Sequence, residues 1–268
     1  MAFPYYFEFE GHRLHPHTVF EGMAYVVAAA LYLALRRHFG DAIPTPIRWT
    51  VVAAAVAGAT LGSKLLYWLE DPQATLLHRN DVAYLMGGKT IVGALVFGMM
   101  AVEIMKRYIG LEQSTGDLYA IPLALGIAIG RMGCFLTGLA DNTYGVATSL
   151  PWGVDFGDGI RRHPTQLYEI AFLLALILVL GRVLGRVLVR VPRSTPPSEA
   201  PEAAPTTGFR SGDVFRIFMV AYLSFRLLLD FIKPYPRVFL GLGTIQWVCV
   251  LVLLYYARDI VRWLEERR

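Results

Sequence analysis

Four charged side chains lie inside hydrophobic stretches of this chain, where a charge is costly to bury. Lys64, Arg131, Arg226 and Asp230 each have apolar residues on both sides. At the middle of a bilayer an ionisable side chain costs about 3 kcal/mol or more. Such residues therefore usually face the interior of a helix bundle, where they hold an ion, a polar headgroup or one another. They predict a membrane protein with a polar cavity.

The hydrophobic stretches are long enough to cross a membrane. The chain has 268 residues, of which 55% are hydrophobic and only 17% are charged. A spanning helix needs about 20 mostly apolar residues. We predict an all-α, polytopic membrane protein that forms one transmembrane domain over residues 1–268. Its seven predicted transmembrane helices fall near 18–36, 50–69, 90–107, 118–138, 166–190, 213–232 and 240–261.

The distribution of basic residues predicts the orientation. Fourteen of the 25 Lys and Arg residues fall on one side of the seven predicted spans, and seven fall on the other. The richer side is expected to be cytoplasmic, which places the N-terminus outside and the C-terminus inside. This bias accounts for the basic composition without a nucleic-acid partner. The Pro-, Ala- and Ser-rich stretch 193–212 is expected to be a flexible cytoplasmic linker.

In this orientation the polar residues within the spans collect at one depth. Predicted spans that run toward the outside carry their polar residues in their later halves. Predicted spans that run toward the cytoplasm carry their polar residues near their beginnings. The sequence thus predicts a site in the outer-leaflet half of the membrane. For Glu21 and Lys64 the alternative is a helix-end side chain that reaches the interface. The eight residues are Glu21, Lys64, Arg131, Gln166, Glu169, Arg226, Asp230 and Gln246.

The histidines and the Gly-Gly-Lys-Thr segment at 87–90 do not predict a cofactor site. His12, His15 and His17 precede the first span in the segment HRLHPH, which is a poor metal-ligand constellation, so we expect no metal site. The segment at 87–90 lacks the first glycine of a phosphate-binding loop, since position 83 is Ala83. We expect no cofactor.

The segment RHPTQLYE at 162–169 begins the fifth predicted span. Pro164 suits the first turn of a helix, and Arg162 and His163 are placed to meet an anion at the helix N-terminus. Gln166 and Glu169 lie one turn apart. The alternative is a capped helix start anchored at the interface.

This segment and GRMGCFLTG at 130–138 together resemble the prolipoprotein diacylglyceryl transferase family. Three further stretches resemble that family in the same order, namely HTVFEGMAY at 17–25, GGKTIVGA at 87–94 and FRLLLDF at 225–231. The resemblance implies a bacterial cytoplasmic (inner) membrane enzyme with a cavity open to the outer leaflet. Such an enzyme moves diacylglyceryl from phosphatidylglycerol to the lipobox cysteine thiol of prolipoprotein signal peptides, and releases glycerol phosphate.

The resemblance also assigns roles to residues. It places Arg131 at the phospholipid-binding arginine, Arg226 at a second essential arginine and Tyr25 at a first-helix tyrosine. Arginine suits a phosphodiester because its planar fork binds two oxygens and stays charged when buried. Asp230 and His163 join these three as candidate catalytic residues. The residues expected to bind substrate are Gly130, Arg131, Gly133, Gly138, Gly145, Arg162, Gln166, Tyr168, Glu169 and Gln246.

The chain departs from the family pattern at four places. Val92 stands where the family usually has a histidine that serves as the favoured base. Cys134 replaces an asparagine, and Asp230 replaces a glutamate. An acidic residue is missing in register, although Asp141 and Asn142 lie close by.

Three functions remain open from the sequence. The first is an active transferase in which Asp230, His163, Tyr25 or electrostatics alone replaces the missing base. The second is a non-catalytic relative that binds anionic lipid or lipoproteins, which Val92 and Cys134 favour. The third is a transporter, against which the lack of repeats and of polar residues in the inner halves argues.

Overall fold

The computed structural model describes residues 3–41, 43–188 and 209–266, and most of these residues are helical. The ten helices within this part of the chain are α1 (Pro16–Phe39), α2 (Thr45–Glu70), α3 (Pro72–Leu77), α4 (Val82–Gly87), α5 (Ile91–Tyr108), α6 (Asp117–Thr137), α7 (Thr165–Leu188), α8 (Asp213–Leu229), α9 (Thr244–Tyr255) and α10 (Ala257–Glu265). Single 3-10 turns follow α6 at Gly138–Asp141 and α8 at Asp230–Ile232.

Two short antiparallel hairpins accompany the helices, and the hydrophobic pattern did not predict them. Strand β1 (Phe7–Phe9) pairs with β2 (His12–Leu14) just before α1. Strand β3 (Val154–Asp155) pairs with β4 (Arg161–Arg162) and orders the long segment before α7. The fold is therefore mostly helical, with its strands confined to these connections.

Among the described residues, four helices are long and apolar enough to cross a membrane. They are α1, α2, α6 and α7, and α9 with α10 forms a fifth candidate that is bent by 53°. Helix α5 carries Glu103, Lys106 and Arg107 in its last turns, and α8 has only 17 residues. Each of the seven predicted stretches contains a helix, but the number of spans and their orientation stay predictions.

Helices α2 and α5 form the most extensive helix pair, and glycines allow their backbones to touch. A Cβ added at Gly62 would lie 2.2 Å from the Cβ of Phe97. One added at Gly93 would lie 2.3 Å from the carbonyl oxygen of Gly62. Small residues permit this close approach where apolar burial alone gives little drive between helices in lipid.

Helices α1 and α6 form the second large pair, and two of the three glycines noted on α6 pack against α1. A Cβ at Gly133 would lie 2.8 Å from the Cβ of Phe20 and 3.2 Å from the Cα of His17. A Cβ at Gly126 would lie 3.3 Å from Ala28. Gly130, in contrast, has no atom within 4 Å of the added Cβ and faces open space.

Helices α6 to α9 enclose the main apolar core together with residues of α2 and α5. Val92, at the position of the family histidine, belongs to this core and is fully buried. The linker expected at 193–212 lies mostly outside the described residues, and its flexibility and the single-domain organisation stay predictions.

Candidate functional site

Glu169 lies between two buried arginines. Its Oε2 is 2.7 Å from Nε of Arg131, and its Oε1 is 3.7 Å from Nη1 of Arg226. Arg226 also donates a hydrogen bond from Nη2 to Asp230 over 3.0 Å, and the hydroxyl of Tyr222 donates to Glu169 over 2.6 Å. All five side chains are buried. Helices α6, α7 and α8 thus bring together a cluster of alternating charge, which we call the arginine cluster.

Helical spacing explains how the arginine cluster forms. Tyr222, Arg226 and Asp230 are four residues apart, so they occupy one face from α8 into the following turn. Buried charges require such partners, because an unpaired ion in an apolar interior is very costly. Two polar atoms of the cluster, Nε of Arg226 and Oδ2 of Asp230, nevertheless have no hydrogen-bond partner within the described chain, and neither has the buried Oε1 of Gln166. Buried atoms of this kind point to a polar ligand or ordered water.

A cavity of about 2250 Å³ lies between the α1–α6 pair and the α2–α5 pair. Arg131 and Gly130 line it, so the open space beside Gly130 is part of the cavity. The polar residues around Arg131 come from α1, α2 and α6, from the segment between α4 and α5, and from the residues that follow α6. They are His17, Glu21, Tyr25, Lys64, Lys89, Arg131, Cys134, Asp141 and Thr143.

The cavity continues to the end of the helix bundle opposite to Arg131. Buried polar residues were not expected at that end. Arg48 forms an ion pair with Asp41 and donates a hydrogen bond to the carbonyl of Thr115 over 2.9 Å. Asp117 is also buried there. Helix α2 begins at Thr45 rather than near residue 50, and this brings Arg48 inside the bundle. Buried polar residues therefore lie at both ends of the cavity. Whether this end is the inner one stays a prediction.

Tyr25, Glu21 and Lys89 form a network on the cavity wall. The hydroxyl of Tyr25 donates to Glu21 over 3.1 Å, and Lys89 forms an ion pair with the same carboxylate. Lys64 instead donates to the backbone carbonyl of Gly88 over 2.8 Å, so its charge stabilises the end of α4. Three residues were candidate bases from the sequence, namely Tyr25, His163 and Asp230. Among them, Tyr25 is the one that lines the cavity.

Arg162 and His163 of the RHPTQLYE segment were expected to meet an anion. In the structure their side chains contact other residues of the chain instead. Arg162 forms two contacts of 2.7 Å with Asp158, and this guanidinium lowers the pKa of that carboxyl. The hydroxyl of Tyr168 lies 3.1 Å from Nδ1 of His163 and accepts a hydrogen bond from Trp152 over 2.8 Å. These side chains order the loop, and His163 is not among the described residues that line the cavity.

The other predicted binding residues contact neighbouring segments of the chain. Gln166 donates to the hydroxyl of Thr143 over 3.1 Å. Gly145 lies against His163, since an added Cβ would be 2.7 Å from the Cβ of that histidine. Gly138 ends α6 with a φ of +69°, a conformation that favours glycine.

Gln246 and Lys233 are buried and are not among the described residues that line the large cavity. Gln246 donates to the carbonyl of Leu227 over 3.0 Å and accepts from the backbone of Gly243 and from Arg237. It therefore ties the loop after α8 to the start of α9. Burial of Lys233, with the positive charge of Arg226 adding to it, lowers the pKa of its amine to about 7.

The structure also brings together three residues that the sequence kept apart. Nδ1 of His17 is 2.9 Å from Oδ1 of Asp141 and 3.9 Å from the sulfur of Cys134. Nη1 of Arg131 is also 3.9 Å from that sulfur. From the sequence, His17 was grouped with the neighbouring histidines. The one pattern that pointed to this cluster was that Cys134 and Asp141 lie close together along the chain.

Buried paired arginines beside a large cavity in an apolar helical bundle define a multi-pass membrane protein with a charged interior. Comparison with known proteins gives the family. The sequence model of the family described as prolipoprotein diacylglyceryl transferase matches residues 4–261. The chain belongs to this family.

Curated relatives are similar over most of the chain. The phosphatidylglycerol–prolipoprotein diacylglyceryl transferase of Bordetella parapertussis is 31% identical over 251 residues, covering 87% of this chain and 86% of the relative. That of Clostridium tetani is 27% identical over 263 residues, which cover 94% of each chain. That of Methylobacillus flagellatus is 31% identical over 208 residues, covering 74% of this chain and 69% of the relative.

Proposed function

We propose that this chain transfers diacylglyceryl from phosphatidylglycerol to the lipobox cysteine thiol of prolipoproteins, in the outer-leaflet half of the bacterial inner membrane. The observation that carries the proposal is the placement of Arg131, which is held by Glu169 and lines the cavity. Membership of the transferase family supports the same conclusion.

The geometry of Arg131 suits a phosphodiester. Its Nε faces Glu169, whereas its Nη1 lies toward Cys134 with only a weak contact of 3.9 Å to the sulfur. The Nη1 end of the guanidinium thus lies at the cavity wall. There, the oxygen of a bound phosphate would accept a far stronger hydrogen bond from it than the sulfur of Cys134 does. Glu169 holds the guanidinium in place, so its charge is ready before the phosphate arrives.

In the proposed reaction, the thiolate sulfur attacks the glyceryl carbon that bears the phosphate. A sulfur–carbon bond forms, the carbon–oxygen bond to phosphate breaks, and glycerol phosphate leaves with the electron pair. The thiol proton passes to water or to a base. Arg131 stabilises the negative charge that grows on the departing phosphate, and Arg226 supports it from behind Glu169.

Tyr25 is the proposed acceptor of the thiol proton among the residues considered from the sequence. Together with Glu21 it lines the cavity, whereas Asp230 is engaged by Arg226 and His163 by Tyr168. The Glu21 carboxylate accepts the hydrogen bond of the Tyr25 hydroxyl and can take a proton relayed through it.

The test is incubation of the purified protein with phosphatidylglycerol and a lipobox peptide, followed by mass spectrometry. We expect a diacylglyceryl mass increase on the peptide cysteine that Arg131→Ala abolishes. The matched control is Arg13→Ala, at an exposed arginine before α1. Unchanged transfer by a folded Arg131→Ala protein would overturn the proposal.

A second candidate function is binding of anionic lipid without transfer. Val92 favours it, because the position of the family histidine is sealed inside the apolar core. In that case the intact protein would retain phosphatidylglycerol through Arg131 and would leave the peptide unmodified. Native mass spectrometry of the bound lipid separates this outcome from transfer.

A further inference from the structure

We propose that His17, Cys134 and Asp141 bind a zinc-like divalent cation at the cavity wall. One ligand atom from each residue lies within 4.8 Å of the other two, and all three residues line the cavity. Imidazole, thiolate and carboxylate together are ligands that zinc prefers, and the sulfur disfavours magnesium and calcium.

The distances from Nδ1 of His17 to the other two ligand atoms are close to those of a tetrahedral zinc site. Zinc lies about 2.0–2.3 Å from nitrogen, oxygen and sulfur, so its ligand atoms are roughly 3.3–3.6 Å apart. Here Nδ1 of His17 is 2.9 Å from Asp141 and 3.9 Å from Cys134. All three ligand atoms lie within 4.8 Å of one another, so small side-chain movements bring them to these distances. Three protein ligands leave the fourth position of a tetrahedral site for a further ligand.

Two of the three ligands, His17 and Asp141, are also oriented by a neighbour, as in established metal centres. Nε2 of His17, on the far side of the ring, lies 3.6 Å from the carboxylate of Glu21. The second oxygen of Asp141 accepts a hydrogen bond of 2.6 Å from the hydroxyl of Thr143. The neighbours hold the imidazole and the carboxylate so that Nδ1 and Oδ1 point at one another and at the sulfur.

Packing and charge favour the same site. Gly133 lets the start of α1 lie against α6, which puts His17 next to Cys134. A dication bound to one thiolate and one carboxylate carries no net charge, which lowers the cost of holding it inside an apolar bundle. The nearby Arg131 is itself neutralised by Glu169.

This site deepens the proposed function and rests on it for its chemical role. The fourth ligand position would take the sulfur of the lipobox cysteine. A thiol that binds zinc loses its proton, so this binding would activate the cysteine as a nucleophile. The metal makes the thiol more acidic, and its proton passes to the Tyr25–Glu21 pair. The sulfur–carbon bond then forms, and the carbon–oxygen bond to phosphate breaks as described above. Cys134 would thereby supply, through the metal, the thiol activation that the histidine missing at Val92 does not.

The metal site is tested with cobalt alone, independently of transfer. Titration of the detergent-purified full-length protein with Co²⁺ is expected to give a cobalt–thiolate charge-transfer band at one equivalent per chain. Cys134→Ser is expected to lose the band, and Thr143→Val to weaken binding about 10-fold or more. The matched control is Cys249→Ser, at the other of the two cysteines, which is also free and buried. Absence of the band in the intact protein, or its persistence in Cys134→Ser, would overturn the site.

The chemical role is tested by removing the metal from protein that transfers. A chelator is expected to lower the transfer rate, and Zn²⁺ to restore it in the intact protein and in Cys249→Ser. Full transfer after complete metal removal would overturn the role in thiol activation. If no preparation transfers, the proposed function fails, and the cobalt titration still decides whether the site binds metal.

Discussion

Nε of Arg131 lies 2.7 Å from Oε2 of Glu169, and this contact joins the cavity wall to the buried centre of the bundle. The contact is an ion pair rather than a well-aligned hydrogen bond. The same carboxylate also faces Arg226 and accepts the hydroxyl of Tyr222. Glu169 therefore balances two arginines at once, which makes it the central residue of the arginine cluster.

Replacing Glu169 with Gln should destabilise the protein and abolish transfer. The change leaves Arg131 and Arg226 buried with too little negative charge, and breaking a buried ion pair costs about 3–5 kcal/mol. Thermal unfolding in detergent and the transfer assay measure both effects. The control is Glu103→Gln, whose side chain is half exposed on α5. Wild-type stability and transfer in Glu169→Gln would show that the arginines do not depend on this carboxylate.

Two glycines one turn apart on α6 should respond oppositely to a larger side chain. Gly130→Leu points into open cavity space, so we expect near-normal stability with lost transfer, because the leucine occupies substrate volume. Gly133→Ala forces its Cβ against Phe20 and should cost about 1–3 kcal/mol of stability. Unfolding temperatures and bound phosphatidylglycerol distinguish the two. Equal destabilisation by both variants would mean that Gly130 also packs against a neighbour.

The helices and the arginine motif were predictable from sequence because both depend on local patterns. Apolar stretches of sufficient length predicted where the long helices lie, and the expense of a buried charge marked Arg131 and Arg226. The bounds were less accurate, since α2 begins early enough to bury Arg48. Spacing by four residues on α8 also made Tyr222 detectable, although it was not singled out.

The contacts between distant segments were not predictable. His17 meets Asp141 where Gly133 allows α1 to lie close to α6, and no local pattern encodes that approach. Arg162 was expected to meet an anion, but a nearby aspartate within its own loop pairs with it. Val92 points into the core because of how α5 is rotated about its own axis. A single sequence does not determine that rotation.

Lys233→Met should raise stability, and more at about pH 6 than at about pH 9. Burial lowers the pKa of this amine from 10.5 to about 7. The unfolded chain therefore binds more protons than the folded one between these values, and stability rises with pH across that window. Below it the charged amine is buried and its full penalty applies. Unfolding temperatures of both proteins against pH measure the difference. A stabilisation that does not depend on pH would mean that the amine keeps its ordinary pKa.

Val92→His should destabilise the protein without increasing transfer. Val92 is fully buried in the apolar core and is not among the described residues that line the cavity. A histidine there loses its hydration without gaining a partner, which costs about 1–3 kcal/mol. The control is Val92→Ile, which keeps the site apolar. Unfolding in detergent and the mass-spectrometric transfer assay measure the two effects. A gain in transfer rate would show instead that the side chain reaches the substrate thiol and that the natural protein lacks this base.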